Sequence, residues 1–290
     1  MGGGTWTSTA FTNYIDSTGL SATASTIDGV TYRTISANYT VQDLYKSHAL
    51  SKELDPFKVM RECCDSEEHP NTIPVIFALD VTGSMGGTAA KVAQQLNVIM
   101  TKLYEQIPDV EFAIMGIGDL AYDEAPIQLS QFESDIRIQE HLDKVYFEAG
   151  GGGNDYESYT AAWYMGLYHC KLDCWKRNKK GIIITLGDEP LNPYLGKDVL
   201  HRVTGDALQT DVETVPLYKE VIKKFDVYHI GVEDNGNSYS WHKSAIESSW
   251  RRILKDHFKV ANLNNLTTMV SDIIINAAKS ESLVGDGIAW

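Results

Sequence analysis

Three oxygen-bearing side chains, Asp80, Thr82 and Ser84, follow the apolar run Val75, Ile76, Phe77, Ala78 and Leu79. In an extended turn, residues two apart point the same way, so Asp-x-Thr-x-Ser can aim a carboxylate and two hydroxyls at one point. Such oxygens are hard ligands, suited to Mg2+, Mn2+ or Ca2+ rather than to a thiophilic metal. The plainer reading is a Gly83-containing turn after a strand, capped by the Thr82 and Ser84 hydroxyls. What decides between the two is whether other loops supply further oxygens.

Two other stretches carry suitable groups. Gly150 to Gly153 precede Asn154, Asp155, Tyr156, Glu157 and Ser158. Four glycines followed by acids make a loop whose backbone can approach a ligand closely, not a packed element. A phosphate cradle would want a Lys or Arg nearby and none follows, whereas acids favour a cation. The plain alternative is a flexible surface loop. The third stretch is the strand-like run Ile182, Ile183 and Ile184, which leads to Gly187 and Asp188. Asp119, Asp123 and Glu124, after a further apolar run, read as a solvated acidic loop, with a second shell around a cation as the alternative.

The pattern Asp80-x-Thr82-Gly83-Ser84 resembles the metal-ion-dependent adhesion site of von Willebrand factor A domains, usually Asp-x-Ser-x-Ser. Asn154-Asp155-Tyr156-Glu157 aligns with the Asp-x-Pro-Glu of the family's third metal loop, with Asn for Asp and Tyr for Pro. The resemblance makes Glu157 the ligand expected from that loop and places Asp188 where the family carries its last metal carboxylate. It covers residues 74–279 and is similar to the A-domain proteins of bacteria and their phages. It implies a divalent cation, Mg2+ first, held by Asp80, Thr82, Ser84, Asn154, Glu157 and Asp188. It also implies a non-enzymatic role: the cation bridges to an Asp or Glu of a partner protein, in an adaptor or assembly subunit, possible partners including an AAA+ ATPase assembly. A competing resemblance is to phosphoaspartyl enzymes of the haloacid dehalogenase type, with Asp80 as nucleophile of a Mg2+-dependent phosphohydrolase. Those enzymes need a catalytic Lys and paired acids, and give the glycine loop no role. A structural or virion component is a further alternative.

The elements that must position these residues alternate. Strands are expected at residues 74–80, 110–117, 180–188, 226–232 and 258–263, with a short edge strand at 127–132. Helices are expected at 88–106, 134–145 (capped by Ser134), 159–175, 214–225, 241–257 and 266–278. That alternation implies an α/β fold: a doubly wound, mostly parallel sheet flanked by helices, Rossmann-like. In such a sheet the strand-end loops meet near the switch point. His229 falls within a strand and reads as a packing residue.

Residues 1–73 read as an N-terminal extension, 74–279 as the A domain and 280–290 as a tail. In the extension, residues 9–14 and 30–35 alternate and suggest an irregular hairpin or arm. The first ten residues are expected to be mobile. Residues 41–61 read as helix broken at Asp55-Pro56, with Asp55 as cap, and residues 63–71 as a polar linker. The tail, ending in Trp290, is expected to dock on its own domain.

The formal net charge of −14, with 43% apolar and 10% aromatic residues, describes a chain able to bury a core. It argues against nucleic acid and anionic membranes as partners, since both need clustered Lys and Arg. Residues 1–6 lack the charged and apolar regions of a secretory signal and miss the myristoylation pattern. Cys63, Cys64, Cys170 and Cys174 do not form a secreted disulfide framework, and a reducing cytoplasm is the expected location. A soft-metal site at His169, Cys170 and Cys174 is the lesser reading beside buried free thiols.

Overall fold

The computed structural model describes residues 4–148, 150, 154 and 156–285, the side chains of 280–285 excepted. Its centre is a six-stranded sheet. The strands are β1 (Ile73–Asp80), β2 (Val110–Ile117), β3 (Ile127–Leu129), β4 (Gly181–Gly187), β5 (Phe225–Glu233) and β6 (Phe258–Asn262). Their spatial order is β6-β5-β4-β1-β2-β3. Only β3 runs antiparallel to its neighbour; every other pairing is parallel. This is the doubly wound order expected from the alternation, with β1 and β4 adjacent at the switch point.

Parallel strands must be covered on both faces, which is why these runs are continuously apolar. Successive side chains divide between two cores. Val75, Phe77 and Leu79 join Phe112, Ile114, Ile182, Ile184 and Leu186 on one face. Ile76 and Ala78 join Ala113, Met115 and Ile183 on the other. The first core is closed by α1 (Gly86–Tyr104) and α7 (Leu266–Gly285), through Val92, Leu96, Val270 and Ile274. The second is closed by α3 (Ala161–Tyr168), α5 (Thr214–Val221) and α6 (Ser238–Leu254), through Trp163, Leu217 and Trp250. Two further helices along residues 73–285 are α2 (Arg137–Asp143) and α4 (Lys197–Thr204). Among the described residues no helix is long and apolar enough to cross a membrane.

Apolar residues of the stretch 4–54 pack into the first core, whereas Cys63 joins the second. Trp6, Phe11, Ile15, Ile35, Leu44 and Leu54 are buried in it. Residues 4–10 are therefore held, contrary to the expected mobile start; residues 1–3 lie outside the described set. The alternating stretch 9–14 is not a strand but part of a helix, Ser8–Ser17, whose N-cap Thr7 accepts from Ala10 N–H. Phe11 and Ile15, four apart, supply its buried stripe. Val30–Ile35 is a strand, but its partner is Ala22–Ile27. Positive φ at Asp28 and Gly29 makes the two-residue turn between them. Asn97 of α1 fastens the extension: it accepts from Trp6 Nε1 at 2.9 Å and donates to the Arg33 carbonyl at 2.8 Å. Asn97→Ala leaves these buried groups unpaired, so chemical denaturation should show a loss of about 1–3 kcal/mol.

Four further expectations fail locally. The helix expected across 41–61 is only Val41–Leu44, and Asp55 accepts from Phe57 N–H in a turn rather than capping a helix. Where that helix is expected to end, Arg61–Cys63 is a strand that pairs with Cys170–Leu172, and residues 64–71 beyond it carry no helix or strand, as expected of a linker. That pairing stops α3 at Tyr168: Cys170 and Leu172 point inward and Lys171 outward, a strand period rather than a helical one. Ser134 does not cap α2; its hydroxyl donates to the Gly4 carbonyl at 2.6 Å, and Asp135 receives Arg137 N–H instead. All four cysteines are free thiols, three of them buried. The tail beyond residue 285 lies outside the described residues.

Candidate functional site

The carboxyl ends of β1 and β4 deliver Asp80 and Asp188 side by side, both fully buried. Asp80 Oδ1 accepts from Thr82 N–H at 3.0 Å and from the Thr82 hydroxyl at 2.6 Å. The exposed Ser84, in the short 3-10 turn Gly83–Met85 that leads into α1, donates its hydroxyl to Asp188 Oδ1 at 3.1 Å. Asp188 Oδ2 accepts from Ser238 N–H at 2.9 Å, from the start of α6. Thus Asp80, Thr82, Ser84 and Asp188, four of the six residues singled out from the sequence, meet at the switch point as two hydrogen-bonded pairs, Asp80 with Thr82 and Asp188 with Ser84.

Glu157 lies beside this group. Its segment makes a parallel bridge to Leu191, just beyond Asp188. The residue is 6% exposed and its Oε2 has no hydrogen-bond partner among the described residues. Burial first, and then the charges of Asp80, Asp123, Asp119 and Glu189, push its carboxyl far above the usual range. Burial followed by the charge of Asp188 likewise raises Asp80, against hydrogen bonds from Thr82 and Tyr159 that lower it. Burial also raises Asp188, opposed by the Ser84 hydrogen bond. Three acids crowded this way each favour a bound proton or a nearby positive charge.

Asn154 is turned elsewhere. Its Nδ2 donates to Asp119 Oδ2 at 2.7 Å and its Oδ1 accepts from Tyr156 N–H at 2.8 Å. It therefore ties its loop to the turn after β2. That turn is a solvated acidic loop only in part: Glu124 is exposed as expected, but Asp119 is 4% exposed and Asp123, half-buried, accepts from Asp119 N–H at 2.6 Å. Burial pushes Asp123 up to about 6. Gly151 to Gly153 and Asp155 lie outside the described residues, so the glycine cradle is not described beyond Gly150, whose carbonyl accepts from Gly83 N–H at 3.2 Å.

Sequence reasoning missed Tyr159. Its hydroxyl donates to Asp80 Oδ2 at 2.7 Å and accepts from the N–H groups of Asp188 and Glu189, each at 3.2 Å. The available signal was a phenol two residues after Glu157, ahead of a helix apolar on every side. His229 is a packing residue, as expected: it stacks on Trp250 with ring centroids 3.6 Å apart.

Chemically, the rim offers carboxylates and hydroxyls. Among the described residues no three His, Cys, Asp or Glu side chains form a metal cage by themselves. Any cation here would need the hydroxyl oxygens as well. The donor set fits a hard divalent ion, and the buried Glu157 oxygen, without a hydrogen-bond partner among the described residues, is the feature that such an ion would satisfy.

No known protein-family profile matches the sequence, and no curated protein does. Among solved structures, the chain is similar to the pilus adhesin SpaC from Lactobacillus rhamnosus GG in its open conformation, at 12% identity and TM-score 0.47, over 73% of this chain and 31% of that one. It is also similar to the vWF domain of the type V pili tip protein Mfa5 from Porphyromonas gingivalis, at 11% identity and TM-score 0.43, over 76% of this chain and 97% of that one. A third is proximal thread matrix protein 1 from the mussel byssus, at 13% identity and TM-score 0.44, over 71% and 46%. The chain thus spans about a third of SpaC's length. Similarity at this level concerns chain path alone.

Proposed function

We propose that this chain is a non-enzymatic protein-binding domain of the von Willebrand factor A type, working through a hard divalent cation, Mg2+ first. One observation carries the reading. Two strand ends and a neighbouring loop bring Asp80, Thr82, Ser84 and Asp188 together beside a buried carboxyl oxygen of Glu157 that has no hydrogen-bond partner among the described residues. Thr82 and Ser84 would hold the ion through hydroxyl oxygens, and Asp80, Asp188 and Glu157 directly or through water. A divalent cation held this way supplies a positive centre that an Asp or Glu of a partner protein can complete. The chain's own part is to orient the oxygens and keep the acids out of bulk water. The rest of the affinity comes from the surrounding surface, as in an adaptor or assembly subunit.

The phosphohydrolase alternative fits less well. Asp80 is fully buried and both its oxygens are engaged, by Thr82 and by Tyr159. That suits a fixed carboxylate better than a nucleophile that must reach a phosphorus atom.

Calorimetric titration of the intact chain with MgCl2 or MnCl2 should give saturable binding near neutral pH. Thr82→Ala should weaken it by about 10–100-fold, with circular dichroism unchanged, because ligand-site substitutions of this size act on affinity more than on fold. A wild-type chain that gives no binding isotherm with either ion would end the proposal. Partner capture in Mg2+ and its loss in EDTA would then test the bridging role.

A further inference from the structure

We infer that Tyr159 is a positioning residue that fixes Asp80 against Asp188 and thereby favours a small cation over a large one. The inference rests on the cation reading above. A phenol hydroxyl has one proton to give and two lone pairs to receive with. Here all three are used: the proton goes to Asp80 at the end of β1, and the lone pairs take the N–H groups of Asp188 and Glu189 at the end of β4. The oxygen therefore joins the two strand ends that carry the two acids.

The ring is fixed as firmly as its hydroxyl. Tyr159 is wholly buried, edge-on to His229 with centroids 5.0 Å apart and against Trp250 at 5.6 Å. His229 is itself held, by the Trp250 stack and by a 2.7 Å hydrogen bond between its Nδ1 and the Thr185 hydroxyl. Asp80 is consequently gripped at both oxygens, by Thr82 on one and Tyr159 on the other. Rigidity has a chemical consequence. Mg2+ demands near-octahedral oxygens at about 2.0–2.1 Å, whereas Ca2+ accepts flexible arrangements at about 2.3–2.6 Å. Carboxylates that cannot spread favour the smaller ion, and releasing one of them relaxes that preference.

The test is Tyr159→Phe, which keeps the ring and removes the hydroxyl. Mg2+ and Ca2+ are titrated separately into the intact wild-type and variant chains, at a temperature where circular dichroism shows both folded. The Mg2+ dissociation constant should rise about 10–100-fold and the Ca2+ constant by less, so the Mg2+:Ca2+ preference falls. Asn97→Ala serves as the control, since it weakens the fold far from the rim and should leave the preference unchanged. Should Tyr159→Phe not fold, Tyr159→Met fills the space without the hydroxyl and should show the same fall. A variant that binds both ions with the wild-type preference overturns the role of Tyr159 and leaves the cation reading standing. A wild-type chain that binds neither ion overturns both.

Discussion

Thermal melting at about pH 8 is expected to shift upward on adding Mg2+, by roughly 8 °C or more where free Mg2+ stands a thousandfold above its dissociation constant. The magnitude follows from mass action: an ion that binds only the folded chain then adds about 4 kcal/mol. Each kcal/mol moves the midpoint of a chain of this size class by roughly 2–4 °C. The shift should shrink at about pH 5, for a reason the rim supplies. Asp188 is pushed up to about 6 and Asp80 to about 7, chiefly by burial. Unfolded, both titrate at about 4. Between those values and the folded ones, the cation-free folded chain holds more protons than the unfolded chain, so its stability falls as pH rises through the window. Under the proposed reading, a bound cation would displace those protons and supply the compensating charge. The melting temperature in EDTA should therefore decline from about pH 5 to about pH 8, while that in Mg2+ stays flatter. Asp123 and Asp143, also raised to about 6 by burial, add slope of the same sign. For that reason the difference between the two curves, not either curve alone, reports on the rim. Coincident curves with Mg2+ and with EDTA at the higher pH would remove the cation from the account.

How much of this was readable beforehand follows from which residues act locally. The sheet was legible because a strand covered on both faces must be apolar at every position, and residues 75–79, 110–117 and 182–186 are nearly so. Asp80 and Asp188 were legible because each is the first acid after such a run. The extension was misread because its order is tertiary: Trp6 and Phe11 are fixed by a core that residues far along the chain build, and Asn97 receives Trp6 across 91 positions. One local signal there was overlooked, Asp28-Gly29 between two alternating runs, which is the strongest short-range mark of a hairpin. The break in α3 was illegible for a similar reason, since only pairing with Arg61–Cys63 turns Cys170–Leu172 into strand. Tyr159 is the instructive omission. A tyrosine before an apolar helix looks like any buried aromatic until the space beside it is known, and a glycine in another strand provides that space.

That glycine, Gly187, yields the largest expected effect of a single substitution. In register it stands opposite Gly231 of β5. A side chain at Gly231 would come within 2.6 Å of the Tyr239 ring, and one at Gly187 would overlap both the ring and the hydroxyl of Tyr159. The pair therefore opens room for two tyrosines over one sheet face. Gly187→Ala cannot be absorbed by a small rotation, because Tyr159 is boxed in by His229 and Trp250. Overpacking of this kind costs about 1–3 kcal/mol. The displaced hydroxyl also leaves Asp80 Oδ2 and two backbone N–H groups without a partner, at about 1–3 kcal/mol for such a loss. Together these should lower stability by roughly 2–6 kcal/mol and, under the cation reading, abolish the Mg2+-dependent rise in melting temperature. If the damage runs through Tyr159, then in a Tyr159→Leu background the further cost of Gly187→Ala should fall below about 1 kcal/mol. Equal costs in the two backgrounds would mean that the glycine is required for the strand itself and that the tyrosine's place at the rim has some other origin.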